Sequence, residues 1–295
     1  MMKKLTVFDK VKKYYFIPVT LAPAFLFLAA FVYYPAVQSL YLSLHKTKLF
    51  AADEFIGLEH YKRIFANSTF LMSFRNTFIY AFFSITGALV LGLFLAVVLN
   101  TKIKGKKFFR TAFFAPYIIP RSAHTLLWFW LLDPQFGLVN YLLGIFGISA
   151  IPWLTSRNWV LSSFVMIDIW KRIGFNMVLF LTGLTTIPEE LYDAGYVDGA
   201  NAWRRFVHIT LPMLRPITLF VIVISFLHAM QLFVEPFTMT KGGPGESSYT
   251  VVYALYQAGF RSLDIGQASA MAVVLFAVIF LFTAVVNRVF DTKEL

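Results

Sequence analysis

Four polar residues interrupt an otherwise apolar segment near residue 230: Ser225, His228, Gln231 and Glu235. Their steps of three, three and four residues predict that they share one face of a helix. Hydroxyl, imidazole, amide and carboxylate groups can all hydrogen-bond a polar solute, and in an apolar helix each needs a partner or a cavity. The pattern therefore predicts either a face that lines a path for a polar substrate or a hydrogen-bonded seam between helices.

A second apolar segment carries Asp168, Arg172 and Asn176, which recur every four residues. Side chains four residues apart are neighbours on a helix, so Asp168 and Arg172 can neutralise each other. A structural ion pair is the prediction for these two residues. Asn176 lies deeper in the segment and is a candidate to face a cavity.

A third segment places Arg121, His124 and Trp128 on one predicted helix face. Arg121 could pair with Glu235 or with a residue of another subunit. Trp128 is a candidate to stack against a sugar ring. The aromatic belts that occur at both membrane surfaces explain a tryptophan here equally well.

Motifs for covalent chemistry are absent from the sequence. There is no Gly-x-x-x-x-Gly-Lys-Ser/Thr loop for ATP phosphates, no His-Glu-x-x-His and no Gly-x-Ser-x-Gly. Cysteine is absent and the five histidines are scattered, so no metal site is predicted. We predict no catalytic residue and no cofactor in this chain. If ATP and Mg²⁺ drive its activity, they bind to another subunit.

The elements that must position these polar residues are apolar. Hydrophobic residues make up 59% of the chain, charged residues 14%, and the mean hydropathy is +0.70. These values exclude a soluble globular protein and indicate a polytopic membrane protein. The net charge of +11 is attributed to cytoplasmic loops and lipid headgroups rather than to nucleic acid.

Six segments have the length of about 20 apolar residues that a helix needs to cross a bilayer. The sequence therefore predicts an all-α membrane protein with a single domain over residues 1–295. The predicted spans cover residues 14–44, 76–100, 108–132, 159–185, 217–240 and 268–290.

Basic residues predict which segments face the cytoplasm. Lys3 and Lys4 precede the first span, and Lys102, Lys104 and Lys106 follow the second span with no acid among them. Cytoplasmic loops are enriched in lysine and arginine, so both segments are placed inside, although basic residues in the first outer loop weaken the asymmetry. Six spans then place both termini and the loop 186–212 in the cytoplasm.

The loop 186–212 is polar, helix-forming and punctuated by glycine. Glu189 and Glu190 follow Pro188, where acidic residues favour the start of a helix. Gly199 permits a sharp turn, and a second short helix is predicted before Pro212. A helix–turn–helix that projects into water is a compact shape that fits a groove on a partner, although an amphipathic helix lying on the membrane surface is the alternative.

This loop resembles the EAA loop of ABC-importer permeases, in which Glu-Ala-Ala is followed after three residues by Gly and after nine more by Ile-x-Leu-Pro. Asp193 replaces Glu, and Gly195 replaces Ala at a cost of about 1 kcal/mol in helix stability. A Gly-Gly-Pro at residues 242–244 follows the fifth predicted span, as is common in carbohydrate permeases. The residues that match the loop pattern are Asp193, Ala194, Gly195, Gly199, Ile209, Leu211 and Pro212.

The resemblance implies a type I ABC importer permease fold and a role in uptake of a carbohydrate or related polyol. The loop would be the coupling helix that contacts a separate ATPase, with Asp193 making a charged contact, Gly199 allowing close approach and Trp203 acting as an apolar anchor. The implied coupling residues are Glu190, Asp193, Ala194, Gly195, Asp198, Gly199, Trp203, Ile209, Leu211 and Pro212.

The resemblance also implies the partners and the location. These are a second similar permease, two ATP-binding cassette subunits, an extracytoplasmic solute-binding protein and the lipid of a prokaryotic inner membrane. The fifth span lines the translocation path in this family, which favours the cavity interpretation. The implied path residues are Gln231, His228, Ser225, Glu235, Asn176 and Trp128.

Three alternatives remain at this point. A permease for glycerol phosphate has the same architecture as a permease for a sugar. An ion-coupled secondary transporter could use His228 and Glu235, but it would leave the cytoplasmic loop unexplained. An intramembrane enzyme acting on lipid could use His228 or Asp168, but it would lack any recognisable motif.

Overall fold

A computed structural model describes residues 7–46, 54–101 and 104–289, with side chains from residue 18 onward. The all-α prediction is confirmed, since the only strands among these residues are a two-residue pairing of His45–Lys46 with Glu54–Phe55. The helices are α1 Val7–Leu28, α2 Tyr34–Leu42, α3 Glu59–Ala66, α4 Ser68–Asn100, α5 Lys106–Ile118, α6 Arg121–Leu131, α7 Leu138–Ile145, α8 Val160–Leu184, α9 Glu189–Val197, α10 Ala202–Arg205, α11 Leu211–Met213, α12 Arg215–Met230, α13 Val251–Tyr256 and α14 Ile265–Val289. Short π-helical turns lie at Ala29–Tyr33, Phe206–Thr210, Pro236–Thr240 and Gln257–Arg261.

Helices α4 and α8 form the centre of the bundle and run parallel. Ser84 on α4 hydrogen-bonds Asp168 on α8, and Gly92 lies against Asn176 about two turns further along both helices. A Cβ added to Gly92 would come within 2.6 Å of the Asn176 Cβ, so the small residue permits the close approach that is typical of packed membrane helices. Parallel neighbours require a connection that returns across the bundle, and α5 and α6 lie in that connection.

Helix α5 crosses α8 at another glycine. A Cβ placed on Gly174 would overlap the main-chain carbonyl of Phe113. Backbone atoms cannot move aside as the end of a flexible side chain can. The crossing of α5 over α8 therefore depends on the absence of a side chain at residue 174.

Gly174→Ala is expected to destabilise the protein by about 1–3 kcal/mol, the usual cost of overpacking a tight contact. Gly144→Ala is the matched control, because Gly144 is also helical and a Cβ there meets nothing within 4 Å. The control should be neutral or slightly stabilising, since alanine favours a helix over glycine. The melting temperatures of both purified variants test these expectations. Equal melting temperatures for Gly174→Ala and Gly144→Ala would contradict the prediction.

Three helices in the described part of the chain are long and apolar enough to cross a membrane: Pro18–Leu42, Ser68–Asn100 and Ile265–Val289. A fourth is added if the segments Ala202–Met213 and Arg215–Met230, bent by 64°, count together. Helix α8 has 25 residues, enough to span, but carries three charged residues near its middle. The count of six spans therefore stays a prediction.

Two of the predicted spans are not single helices. The span predicted at 108–132 is divided into α5 and α6 by a break at Ile119 and Pro120. The span predicted at 217–240 is divided where α12 ends at Met230. Lys3, Lys4 and Lys102, on which the predicted orientation partly depends, lie outside the described residues, as do both termini.

Candidate functional site

The loop 186–212 folds as two helical segments that meet at a sharp turn, as predicted. Helix α9 starts after Pro188 with two acids in its first turn. Gly199 has a φ of +73°, and its N–H donates to the Tyr196 carbonyl at 3.0 Å while that of Ala200 donates to the Gly195 carbonyl at 2.9 Å. This is the left-handed ending that glycine favours. The second segment runs from α10 through a π-helical turn into α11.

The asparagine between the turn and the second segment caps α10. The N–H of Arg204 donates to Asn201 Oδ1 at 2.8 Å, which satisfies one of the free donors at a helix start. A hydrogen bond of 2.9 Å between Tyr192 Oη and Thr210 Oγ1 joins the first helical segment of the loop to the second. The loop 186–212 therefore has a defined folded structure.

The structure separates the predicted coupling residues into two groups. Gly195 and Ile209 face inward, and a Cβ on Gly195 would lie 3.1 Å from Ile209 Cδ1. This tight contact gives a physical reason for glycine where the family pattern has alanine. The exposed members are Glu190, Asp193, Ala194, Asp198, Gly199, Trp203, Leu211 and Pro212.

Two residues that the sequence argument did not assign to this surface are among its most exposed apolar side chains. Val197 is 85% exposed and Tyr196 is 73% exposed, beside Trp203 at 70%. The guanidinium of Arg205 lies 5.7 Å from the centre of the Tyr196 ring. The signal that could have found them is the placement of two large apolar residues just before the turn glycine of a polar loop.

Two ion pairs lie within the helix bundle. Arg172 Nε contacts Asp168 Oδ1 at 2.8 Å with both side chains buried, so the predicted pair is confirmed. Arg121 Nε contacts Glu235 Oε1 at 3.0 Å, which confirms the pairing that was one of two possibilities for Arg121. This second pair joins α6 to the segment after α12, and Glu235 is only 2% exposed.

The prediction that Ser225, His228, Gln231 and Glu235 share one helix face is wrong. Helix α12 ends at Met230, and residues 231–233 are not helical. Ser225 and Glu235 are buried, whereas His228 and Gln231 are exposed. The four residues therefore do not form a continuous polar stripe.

A cavity of about 390 Å³ lies beside the break between α5 and α6. His228 is the member of the predicted set that lines it. Lys171, the residue before Arg172 on α8, also lines it and donates to the Ile119 carbonyl at the end of α5. The lining residues are Tyr117, Ile118, Ile119, Pro120, Arg121, Asp168, Lys171, Arg172 and His228.

Asn176 and Trp128 do not line this cavity. Asn176 is buried between α8 and α4, and its Nδ2 has no hydrogen-bond partner among the described residues. Trp128 packs edge-on against Trp170 with ring centroids 5.3 Å apart. These contacts place both residues in the packed interior of the bundle.

Comparisons with known proteins agree with this architecture. Residues 88–294 match the family described as "Binding-protein-dependent transport system inner membrane component". The chain is 36% identical over 276 residues to the sulfoquinovosyl glycerol transport system permease protein SmoG of Agrobacterium fabrum, covering 93% of this chain and 90% of that protein. It is 30% identical over 282 residues to the sn-glycerol-3-phosphate transport system permease protein UgpA of Pectobacterium atrosepticum, covering 93% and 94% of the two chains.

A solved structure shows the same fold. A chain from the crystal structure of a bacterial ABC transporter involved in import of the acidic polysaccharide alginate superposes with a TM-score of 0.84 at 22% identity, covering 98% of this chain and 99% of that chain. The similarity supports a type I importer permease fold for the present chain. The family match and the two relatives show that this chain is a multi-pass bacterial membrane protein belonging to the inner membrane components of binding-protein-dependent ABC importers.

Proposed function

We propose that this permease forms half of the path through which an ATP-driven importer carries a sugar, an oligosaccharide or a related polyol. The observation that carries the proposal is the surface of the loop 186–212, named the coupling loop from here on. Tyr196, Val197 and Trp203 are exposed around its glycine turn. Large apolar side chains gathered on a polar loop mark a protein contact. The partner at this surface is an ATP-binding cassette subunit, which also holds ATP and Mg²⁺.

A second permease and an extracytoplasmic solute-binding protein complete the proposed importer. The names of the two relatives support the substrate class, because sulfoquinovosyl glycerol is a glycoside and glycerol 3-phosphate is a polyol derivative. A glycerol phosphate remains an alternative substrate to a sugar. The proposed topology has both termini in the cytoplasm. The parallel direction of α4 and α8 supports this topology, because it requires one return across the membrane between them.

The cavity of about 390 Å³ beside the α5–α6 break is the proposed contribution of this subunit to the path. Three cationic side chains, those of Arg121, Lys171 and Arg172, line it together with His228 and Asp168. Two of these cations are held by the ion pairs. His228 takes part in no ion pair among the described residues. Its imidazole can therefore hydrogen-bond a solute without the loss of such a pair.

His228→Ala and Gln231→Ala are expected to weaken substrate affinity by roughly threefold to tenfold, because a hydrogen bond to a solute contributes about 0.5–1.5 kcal/mol. The effect should be larger for His228, which lines the cavity. Ser225→Ala is the matched control, since Ser225 is buried away from the cavity, and it should leave affinity unchanged. The concentration dependence of uptake measures all three, with complex yield recorded in parallel. Unchanged affinity with lowered thermal stability would assign His228 and Gln231 to helix packing.

Uptake by the reconstituted complex tests the function itself. The chain is purified in complex with its proposed partner permease and ATPase subunits and placed in vesicles with the binding protein and a radiolabelled sugar. Uptake should require ATP and should stop when the ATPase subunits are omitted. Uptake that follows a proton gradient without ATP would indicate a secondary transporter instead. Formation of a lipid product by the purified chain would indicate an enzyme.

A further inference from the structure

A second cavity, of about 530 Å³, lies beside the segment that follows α12. The π-helical turn Pro236–Thr240 and the residue after it form one wall, and α13 with the π-helical turn Gln257–Arg261 forms the other. It shares no residue with the cavity at the α5–α6 break or with the coupling loop. Its lining residues are Phe237, Thr238, Lys241, Tyr253, Tyr256, Gln257 and Arg261.

Aromatic rings form much of this lining. Phe237 and Tyr256 meet edge-on with centroids 5.3 Å apart, and Tyr256 stacks on Phe260 at 5.4 Å. The ring centroids of Tyr253 and Tyr256 are 6.4 Å apart. The flat face of an aromatic ring suits the C–H face of a pyranose, while the tyrosine hydroxyls can hydrogen-bond at its edge.

Polar groups with free hydrogen-bond donors and acceptors lie next to these rings. Gln257 Nε2 donates to the Tyr253 hydroxyl at 2.7 Å. An amide has two N–H donors and one carbonyl acceptor, and a phenol can donate as well as accept. This hydrogen bond therefore orients both side chains and leaves an amide oxygen, an amide N–H and a phenolic proton for a solute.

The cavity is also positively charged. Lys241 and Arg261 line it, no acidic residue does, and neither takes part in an ion pair among the described residues. Lys241 has a φ of +50°, a left-handed conformation that is unfavourable for a residue with a side chain.

We propose that this cavity binds a sugar or polyol that carries an acidic group, such as a carboxylate, a sulfonate or a phosphate. The ring packs on Tyr256 and Phe237, Gln257 and Tyr253 hydrogen-bond its hydroxyls, and Lys241 and Arg261 neutralise the acid. The inference rests on the importer function proposed above and names its substrate class. In the predicted topology the cavity lies on the extracytoplasmic side, where a substrate enters.

Binding of radiolabelled glucuronate to the purified full-length chain tests the proposal. The detergent is a polyoxyethylene ether, which contains no sugar, and glucose serves as the uncharged probe in the same equilibrium dialysis. Wild-type protein should bind glucuronate more tightly than glucose. Lys241→Gln and Arg261→Gln should each weaken glucuronate binding by about tenfold and leave glucose binding unchanged, because a charge-assisted hydrogen bond becomes a neutral one.

Two further variants complete the experiment. Tyr256→Leu removes the stacking surface and should weaken binding of both sugars. Lys241→Arg retains the charge and should keep the preference for glucuronate, which separates loss of charge from misfolding at this position. Lys62→Gln is the matched control, because Lys62 is an exposed cation on α3 that does not line the cavity. It should bind both sugars as the wild type does.

Three results would overturn the proposal. The first is wild-type protein that binds glucuronate no better than glucose. The second is unchanged glucuronate affinity in both Lys241→Gln and Arg261→Gln. The third is that these variants lose phosphatidylglycerol, counted by native mass spectrometry, while glucuronate binding stays unchanged, since the cations would then hold lipid headgroups. The dialysis needs neither ATPase nor binding protein. Absent uptake would therefore contradict only the importer function, and normal uptake with unchanged variant affinities would contradict only this site.

Discussion

Gly199→Leu is expected to abolish substrate uptake while leaving the chain in the membrane at its normal level. Gly199 has a φ of +73° and open space around its missing Cβ. The Cβ of a leucine would therefore meet no atom of the described chain within 4 Å, but the residue would favour a different backbone by about 1–2 kcal/mol. It would also project from the turn beside Val197, into the surface proposed to contact the ATPase. Insertion should not change, because this loop lies outside the predicted spans.

Gly147 supplies a matched control for Gly199. It has a φ of +74° and nothing within 4 Å of an added Cβ, and its hydrogen bonds repeat the same ending, from Gly147 N to the Gly144 carbonyl at 3.0 Å and from Ile148 N to the Leu143 carbonyl at 3.1 Å. Gly147→Leu therefore imposes the same backbone cost in a loop predicted on the opposite side of the membrane. It should retain uptake.

Two milder changes separate backbone strain from the contact itself. Gly199→Asn should retain part of the uptake, because asparagine tolerates the left-handed conformation better than leucine. Asp193→Glu should be tolerated, because it keeps a carboxylate on the exposed face of α9. Uptake and ATPase stimulation are measured in vesicles that contain equal amounts of complex. Wild-type uptake by Gly199→Leu would contradict the coupling role of the turn.

Asp168→Ala is expected to lower the stability of the protein by about 3–5 kcal/mol, the usual cost of removing one partner of a buried ion pair. The variant leaves the buried guanidinium of Arg172 without its carboxylate and also removes the acceptor for the Ser84 hydroxyl. Because Ser84 belongs to α4 and Asp168 to α8, the contact between the two central helices loses its polar link. The melting temperature of the purified full-length chain should fall, with complex yield falling in parallel.

The exposed pair Glu59–Arg63 is the matched control for Asp168–Arg172. It has the same i,i+4 spacing and an Nε–Oε1 distance of 3.2 Å, but its side chains are 44% and 55% exposed. Glu59→Ala should cost no more than about 1 kcal/mol, because water screens an exposed pair. The double variant Asp168→Leu/Arg172→Met should recover part of the loss, since an apolar pair leaves no unpaired charge. Equal losses for Asp168→Ala and Glu59→Ala would contradict the importance of burial.

The sequence by itself determined the features that depend on local spacing and composition. Its hydropathy indicated a membrane protein, the four-residue step from Asp168 to Arg172 predicted their ion pair, and the position of Gly199 predicted the turn. The ion pair and the turn depend on residues that are close together in the chain. Helix geometry alone then brings the groups into contact, so no knowledge of the fold was needed.

The place where α12 ends was decided by the tertiary structure. Pro236 has no N–H, so the Leu232 carbonyl four residues earlier would lack its partner in a continuous helix. Proline alone does not decide between a kinked helix and a broken one. Thr250 Oγ1 donates to that carbonyl at 2.7 Å, and this contact from 18 residues further along stabilises the break. As a result, the four residues that spacing placed on one face point in different directions.

The break between α5 and α6 has the same kind of cause. Pro120 marks a possible helix boundary, but carbonyl groups at the end of α5 need donors. Lys171, more than 50 residues away in the chain, donates from α8 to the carbonyls of Pro116, Tyr117 and Ile119. The sequence showed where the chain could break. Only the packing of α8 against α5 provided the hydrogen-bond donor that makes this broken form stable and leaves a cavity beside it.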